Sequence, residues 1–165
     1  MAYADYSRYT SIYGEGSISE IDFNRFSYDA SRYMDYCTTG VDGVKKLKIA
    51  HPTDADDAEA VIRCACALIH DMSEIDAAEK RAASVRGLVQ REDGTVTGAV
   101  VSSVSSGSES ISYSVSSGQS AIDAAVASED ERRKLYFATV RKYLSGVKDA
   151  NGVNLLYGGA YPYVL

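Results

Sequence analysis

No run of about 18 apolar residues occurs in this 165-residue sequence, so no stretch of it is long enough to span a bilayer. Lys and Arg are in the minority, 17 against 23 Asp and Glu, for a formal net charge of −6. A protein that grips DNA through phosphates needs clustered cations to displace counterions, and this balance argues against it. Cysteine is scarce: Cys37, Cys64 and Cys66 alone. An odd, small set suggests free thiols rather than a disulfide framework. Cys64 and Cys66 lie two apart in a helical pattern, so they point about 200° apart and do not reach one zinc ion together; small buried apolar residues are the better reading. The tyrosine-rich start, Met1 to Tyr13, lacks a basic segment and an apolar core, unlike a secretory signal. A cytoplasmic setting is expected.

Catalytic signatures are missing too. The two histidines, His51 and His70, share no metal-binding spacing, and each reads as a solvated or core-edge side chain. There is no G-x-x-x-x-G-K-[ST], no G-x-G-x-x-G after a strand, and no G-x-S-x-G elbow around the serines. No cofactor is implied. Asp54, Asp56, Asp57 and Glu59 form an acidic run. It admits two readings: a divalent-metal site serving a small metal-dependent enzyme, or first-turn carboxylates complementing a helix dipole. The EF-hand order of ligands is absent, which favours the second.

What is present is helical periodicity. With 45% hydrophobic and 24% charged residues, the chain has the balance of a globular protein, and its length suits one domain, residues 1–165. Tyr6, Tyr9 and Tyr13 predict a short helix stopped by Gly14 and Gly16. A second helix starts at an N-cap Ser19, with Ile18 and Phe23 as a staple and Phe23, Phe26, Ala30, Tyr33, Met34 and Cys37 on its inner face. It runs to about Thr38, with a turn at Asp42-Gly43. Lys45, Lys46 and Lys48 read as a solvated loop. Thr53 or Asp54 then caps the longest helix, whose inner face is Val61, Ile62, Ala65, Leu68, Ile69, Met72 and Ile75.

The pattern changes after Ala83. Leu88-Val89 and Thr95-Val96 flank Glu92-Asp93-Gly94, a hairpin signal. Residues 102–120 include eleven serines, with Ile111, Tyr113 and Val115 alternating with Ser110, Ser112, Ser114 and Ser116. A period of two makes residues 86–120 an extended arm with one apolar edge. Ser128 to Glu131 reads as a capping box opening a last helix, with Tyr136, Val140, Tyr143 and Leu144 inward and Gly146 as its stop. Residues 147–165 form a tail, uncharged from Asn151 and carrying Leu155, Leu156, Tyr157 and Tyr161. The expected fold is mainly α: a small bundle of three to four helices with an inserted β-like arm or hairpin before the last helix.

Tyrosine supplies the remaining signal. Seven of the thirteen precede residue 37 and three lie in the tail. Tyrosine brings a large contact area at low entropic cost. The helical tyrosines read as core, those of the tail as contact residues.

Tyr3-Ala4-Asp5-Tyr6 through Tyr13-Gly14, then Ala30-Ser31-Arg32-Tyr33-Met34-Asp35 and Thr38, resemble the opening of the head–tail connector adaptor (head completion) proteins of long-tailed bacteriophages. Gly107, Ser110, Ser112 and Tyr113 resemble that family's "Gly-xx-Ser-x-Ser-Tyr" segment, and Tyr143-Leu144-Ser145-Gly146 with Leu155-Leu156-Tyr157-Gly158-Gly159 its close. Val104 stands where such proteins often carry an acidic residue, and the serine tract here is longer. The resemblance spans nearly the whole chain, in order. It implies a non-enzymatic virion subunit, assembled in the host cytoplasm, that forms a twelvefold ring of identical copies below the portal protein. DNA would pass through the ring without specific binding. Partner contacts are then expected at Gly107, Ser110, Ile111, Ser112, Tyr113 and Val115 of the arm and at Leu155, Leu156, Tyr157 and Tyr161 of the tail. A stopper or tail-completion protein at the same junction is the alternative structural role.

Overall fold

A computed structural model describes residues 2–85, 88–90, 96–98, 103–106, 109–112 and 120–163. It is mainly helical. Four helices carry the bundle: α1 (Tyr6–Tyr13), α2 (Glu20–Cys37), α4 (Ala55–Val85) and α6 (Glu129–Leu144), with two short ones, α3 (Lys46–Ile49) and α5 (Ala121–Ala127), between them.

Local chemistry sets the ends. The Asp5 carboxylate accepts from the Arg8 amide at 2.7 Å and starts α1. Gly14, at φ 92°, stops it, its amide donating to the Thr10 carbonyl at 2.9 Å. Ser19 caps α2 through the Asp22 amide, and Glu20 and Asp22 sit at the positive end of the helix. Asp54 accepts from the amides of Asp56 and Asp57 at 3.0 and 3.1 Å and so opens α4.

One serine behaves differently from its sequence pattern. The capping box expected at Ser128 does not form: Ser128 makes no side-chain cap bond, and its amide donates to the Ala124 carbonyl as it closes α5. The box forms instead eight residues earlier, where the Ser120 hydroxyl accepts from the Asp123 amide and Asp123 reaches back to the Ser120 amide.

The long helix α4 is the spine; α2, α5 and α6 pack along it, and α1 lies against α2 and α4. Its buried face is Val61, Cys64, Ala65, Leu68, Ile69, Met72 and Ile75. Facing it are Phe23, Phe26, Ala30 and Met34 of α2 and Val140 and Leu144 of α6, joined in one core with Tyr9, Leu47 and Leu155. Cys64 and Cys66 are fully buried, and burial pushes both thiols up, that of Cys66 to about 11.

Between α4 and α5 the chain forms two antiparallel strand pairs. In the first, β1 (Leu88–Gln90) pairs with β2 (Val96–Gly98), Leu88 opposite Gly98. In the second, β3 (Ser103–Ser106) pairs with β4 (Glu109–Ser112), so that Ser110 faces Ser105, Ile111 faces Val104 and Ser112 faces Ser103. Gly107, Tyr113 and Val115, and the expected turn at Glu92-Asp93-Gly94, lie outside the described residues.

The segment after α6 folds back onto the loop between α2 and α4. Lys46, expected in a solvated loop, is fully buried on α3, and its ammonium donates to the main-chain carbonyl of Tyr157. Burial lowers its proton affinity, while Asp42 and Asp149 act in the opposite direction. Asp42 accepts from the Tyr161 amide at 2.7 Å and from the Val44 amide at 3.1 Å, and those bonds hold its carboxyl below the usual range. The Tyr161 hydroxyl donates to Asp149 at 2.6 Å and accepts from Asn151 at 2.8 Å. Asp149 also takes the amides of Asn151 and Val153.

Candidate protein-interaction surface

The tail residues expected to meet partners divide. Leu155 is fully buried and Tyr161 nearly so, both within this chain's own packing. Uncharged and apolar as the segment is, the nearest apolar surface to these two side chains is the chain's own core. Leu156 is half-buried, and Tyr157 remains exposed.

The acidic run is likewise spoken for by neighbours on different sides. Asp54 caps α4, Asp57 accepts from the Lys148 amide at 3.0 Å, and Glu59 pairs with Arg8 and Arg63 at 2.5 and 2.7 Å. Among the described residues no three His, Cys, Asp or Glu side chains gather as a metal would need. His70 lies at the core edge, stacked on Tyr13 with ring centroids 4.3 Å apart and its Nδ1 3.3 Å from the Tyr9 hydroxyl. His51 is exposed and stacks loosely on Tyr3. Asp71, raised by burial, is held by the Thr139 hydroxyl at 2.7 Å. These groups do not converge on one point.

The tyrosines of α2 are the informative ones. Ile21, Arg25, Tyr28, Arg32 and Tyr36 recur at intervals of four, three, four and four. At 100° per residue they fall within about 80° of arc, on the side opposite Phe23, Ala30 and Met34. Ile21, Tyr28 and Tyr36 are 83%, 63% and 73% exposed. The Arg32 guanidinium lies over the Tyr28 ring at 5.8 Å. Side chains this apolar on an outer helical stripe gain nothing from the chain's own core.

The stripe continues onto α6. Arg133, Phe137 and Arg141 follow one another at i, i+4 and i+8, with Arg141 over the Phe137 ring at 5.9 Å. Tyr33 joins the helices: its ring meets Tyr136 edge-on at 5.6 Å and its hydroxyl donates to the Arg133 carbonyl at 3.2 Å. Tyr33, Tyr36, Arg133, Lys134 and Phe137 thus line a groove of about 640 Å³. No family model, curated protein or solved structure matches this chain. Its functional reading therefore stands on the residues themselves.

Tyrosine and arginine in one contiguous exposed patch is the composition of protein interfaces, where they carry a disproportionate share of binding energy. Of the helical tyrosines expected in the core, Tyr9 is there, but Tyr28 and Tyr36 are not. The signal that separates them is phase along the helix: Tyr33 keeps step with Phe26 and Ala30, whereas Tyr28 and Tyr36 keep step with Ile21 and two arginines.

Proposed function

We propose that this protein is a structural subunit of a bacteriophage head–tail connector, joining portal protein to tail machinery as a ring of identical copies within the virion. The observation that carries the reading is the exposed Tyr/Arg face of α2 and α6 on a helical block whose core is otherwise closed. The ordered motifs from Tyr3 to Gly159 specify the family this resembles. A ring requires a heterologous contact, one surface of each copy meeting a different surface of the next. The short strand pairs β1–β2 and β3–β4 leave edges that a neighbour can extend by strand addition. A net charge of −6 suits a channel wall along which DNA slides without sticking.

Electron micrographs of the purified protein mixed with isolated portal rings test the proposal. The expected image is an added ring seated on one end of the portal. Association with tail tube but not portal would move the protein to a stopper or tail-completion role, and association with neither would overturn the reading.

A further inference from the structure

We infer that the groove between α2 and α6 docks an acidic segment of a partner protein with an aromatic or leucine side chain as its anchor. The inference rests on the reading of this face as an interaction surface and adds the chemistry of what occupies it.

The floor is planar and apolar. Tyr33 is fixed by its contact with Tyr136 and by its bond to the Arg133 carbonyl, so its ring is held in place before any partner arrives. Phe137 and Tyr36 form the walls, 47% and 73% exposed. The volume, about 640 Å³, falls within the range of about 300–1,000 Å³ typical of ligand clefts. Because its walls are themselves solvent-facing, it suits a side chain presented by another surface rather than an enclosed small molecule.

The rim is cationic. Arg133 and Lys134 line it, and Arg141 stands over the ring of the lining residue Phe137. The nearest compensating carboxylates are on α6 itself: Glu129 pairs with Arg133 and Glu131 with Lys134, both at 2.6 Å, and Asp130 adds its charge beside both cations. The four paired side chains are well exposed, and exposed pairs of this spacing are weak and readily exchanged. An incoming carboxylate can therefore take over a guanidinium or ammonium at little cost, while the anchor buries the aromatic walls. Apolar floor and positive rim together select a segment in which Asp or Glu flanks an apolar side chain.

The same aromatics and cations would accept a single-stranded nucleic acid by base stacking. The existing Glu129 and Glu131 at the rim, and the overall −6 charge, oppose a polyanion far more than a short acidic segment.

The test is selection from a random peptide library displayed on yeast, with the full chain as bait and a Tyr36→Ser/Phe137→Ser variant as counter-bait. Both positions are exposed, so the variant is expected to melt with the parent. Enriched peptides should combine Asp or Glu with Phe, Trp, Tyr or Leu. They should bind the variant at least tenfold more weakly, and lose affinity when Arg133 and Lys134 are both changed to Glu. Absence of enrichment over the variant, enrichment of basic or uncharged peptides, or tighter binding of an oligothymidylate than of any peptide would overturn the inference. The two readings fail separately. Seating on portal rings that survives the double serine change removes the groove and keeps the connector; acidic-peptide binding without portal association does the reverse.

Discussion

Replacing Leu155 by alanine separates a tail that belongs to the core from one that serves partners. Leu155 is fully buried, its amide donates to the Val147 carbonyl at 2.9 Å, and it shares the core with Leu47, Leu144 and Val147. Truncating a buried leucine costs about 2–5 kcal/mol, the lost transfer energy plus the cavity left behind. For this fully buried leucine we expect about 3 kcal/mol. For a chain of this size that lowers Tm by about 6–12 °C. Tyr157→Ala is the control. Its ring is 52% exposed, and the Lys46 ammonium binds its main-chain carbonyl, which alanine retains. That change should cost well under about 1 kcal/mol. Thermal melts followed by circular dichroism, with urea titrations to check that the slope is unchanged, measure both variants on the isolated protein. If Leu155→Ala melts with the parent while Tyr157→Ala does not, the tail is held by something other than this packing and the argument is wrong.

Three further outcomes are expected. Ser120→Ala should cost about 1 kcal/mol through loss of the α5 cap, whereas Ser128→Ala, which removes no cap bond, should stay within about 0.5 kcal/mol by urea denaturation. Burial raises the Asp71 carboxyl above its unfolded value, so the charged form weakens the fold above that raised pKa and the penalty disappears as pH falls towards the unfolded one. Asp71→Asn, which still accepts from Thr139, should therefore raise Tm at neutral pH, with the gain shrinking on acidification. Changing Ile111 and Tyr113 together to Asp should leave the melting temperature unaltered but block attachment to portal-containing heads; normal attachment in a head-binding assay would remove the arm from the mechanism.

The helices were readable where local signals agreed. Ser19 followed by two acidic residues and a 3-4 apolar rhythm defines α2 without tertiary help, and Asp54 with its apolar stripe does the same for α4. Reading failed where a distant group decides. Lys46 sits among lysines and resembles solvated loop; its burial is compensated by the Tyr157 carbonyl 111 residues later together with Asp42 and Asp149. Ser120 and Ser128 both precede an acidic residue by three, and the backbone at Ser128 is already committed to ending α5. The interaction face was visible in principle, since the phase of Tyr28 and Tyr36 sets them apart from Tyr33, but composition alone merges them. In the tail, apolar content marks burial without saying whose surface does the burying, and Leu155 is covered by this chain's own core.

The stitching of residues 149–161 onto the loop at 38–50 has a bearing on how the chain is made. Lys46, Asp42 and Ala50 wait for Tyr157, Tyr161 and Ala150, separations of 100 residues or more. Through most of synthesis α3 must leave the Lys46 ammonium open to water. A polypeptide cut short before residue 149 would keep that seam unsealed and open to proteases.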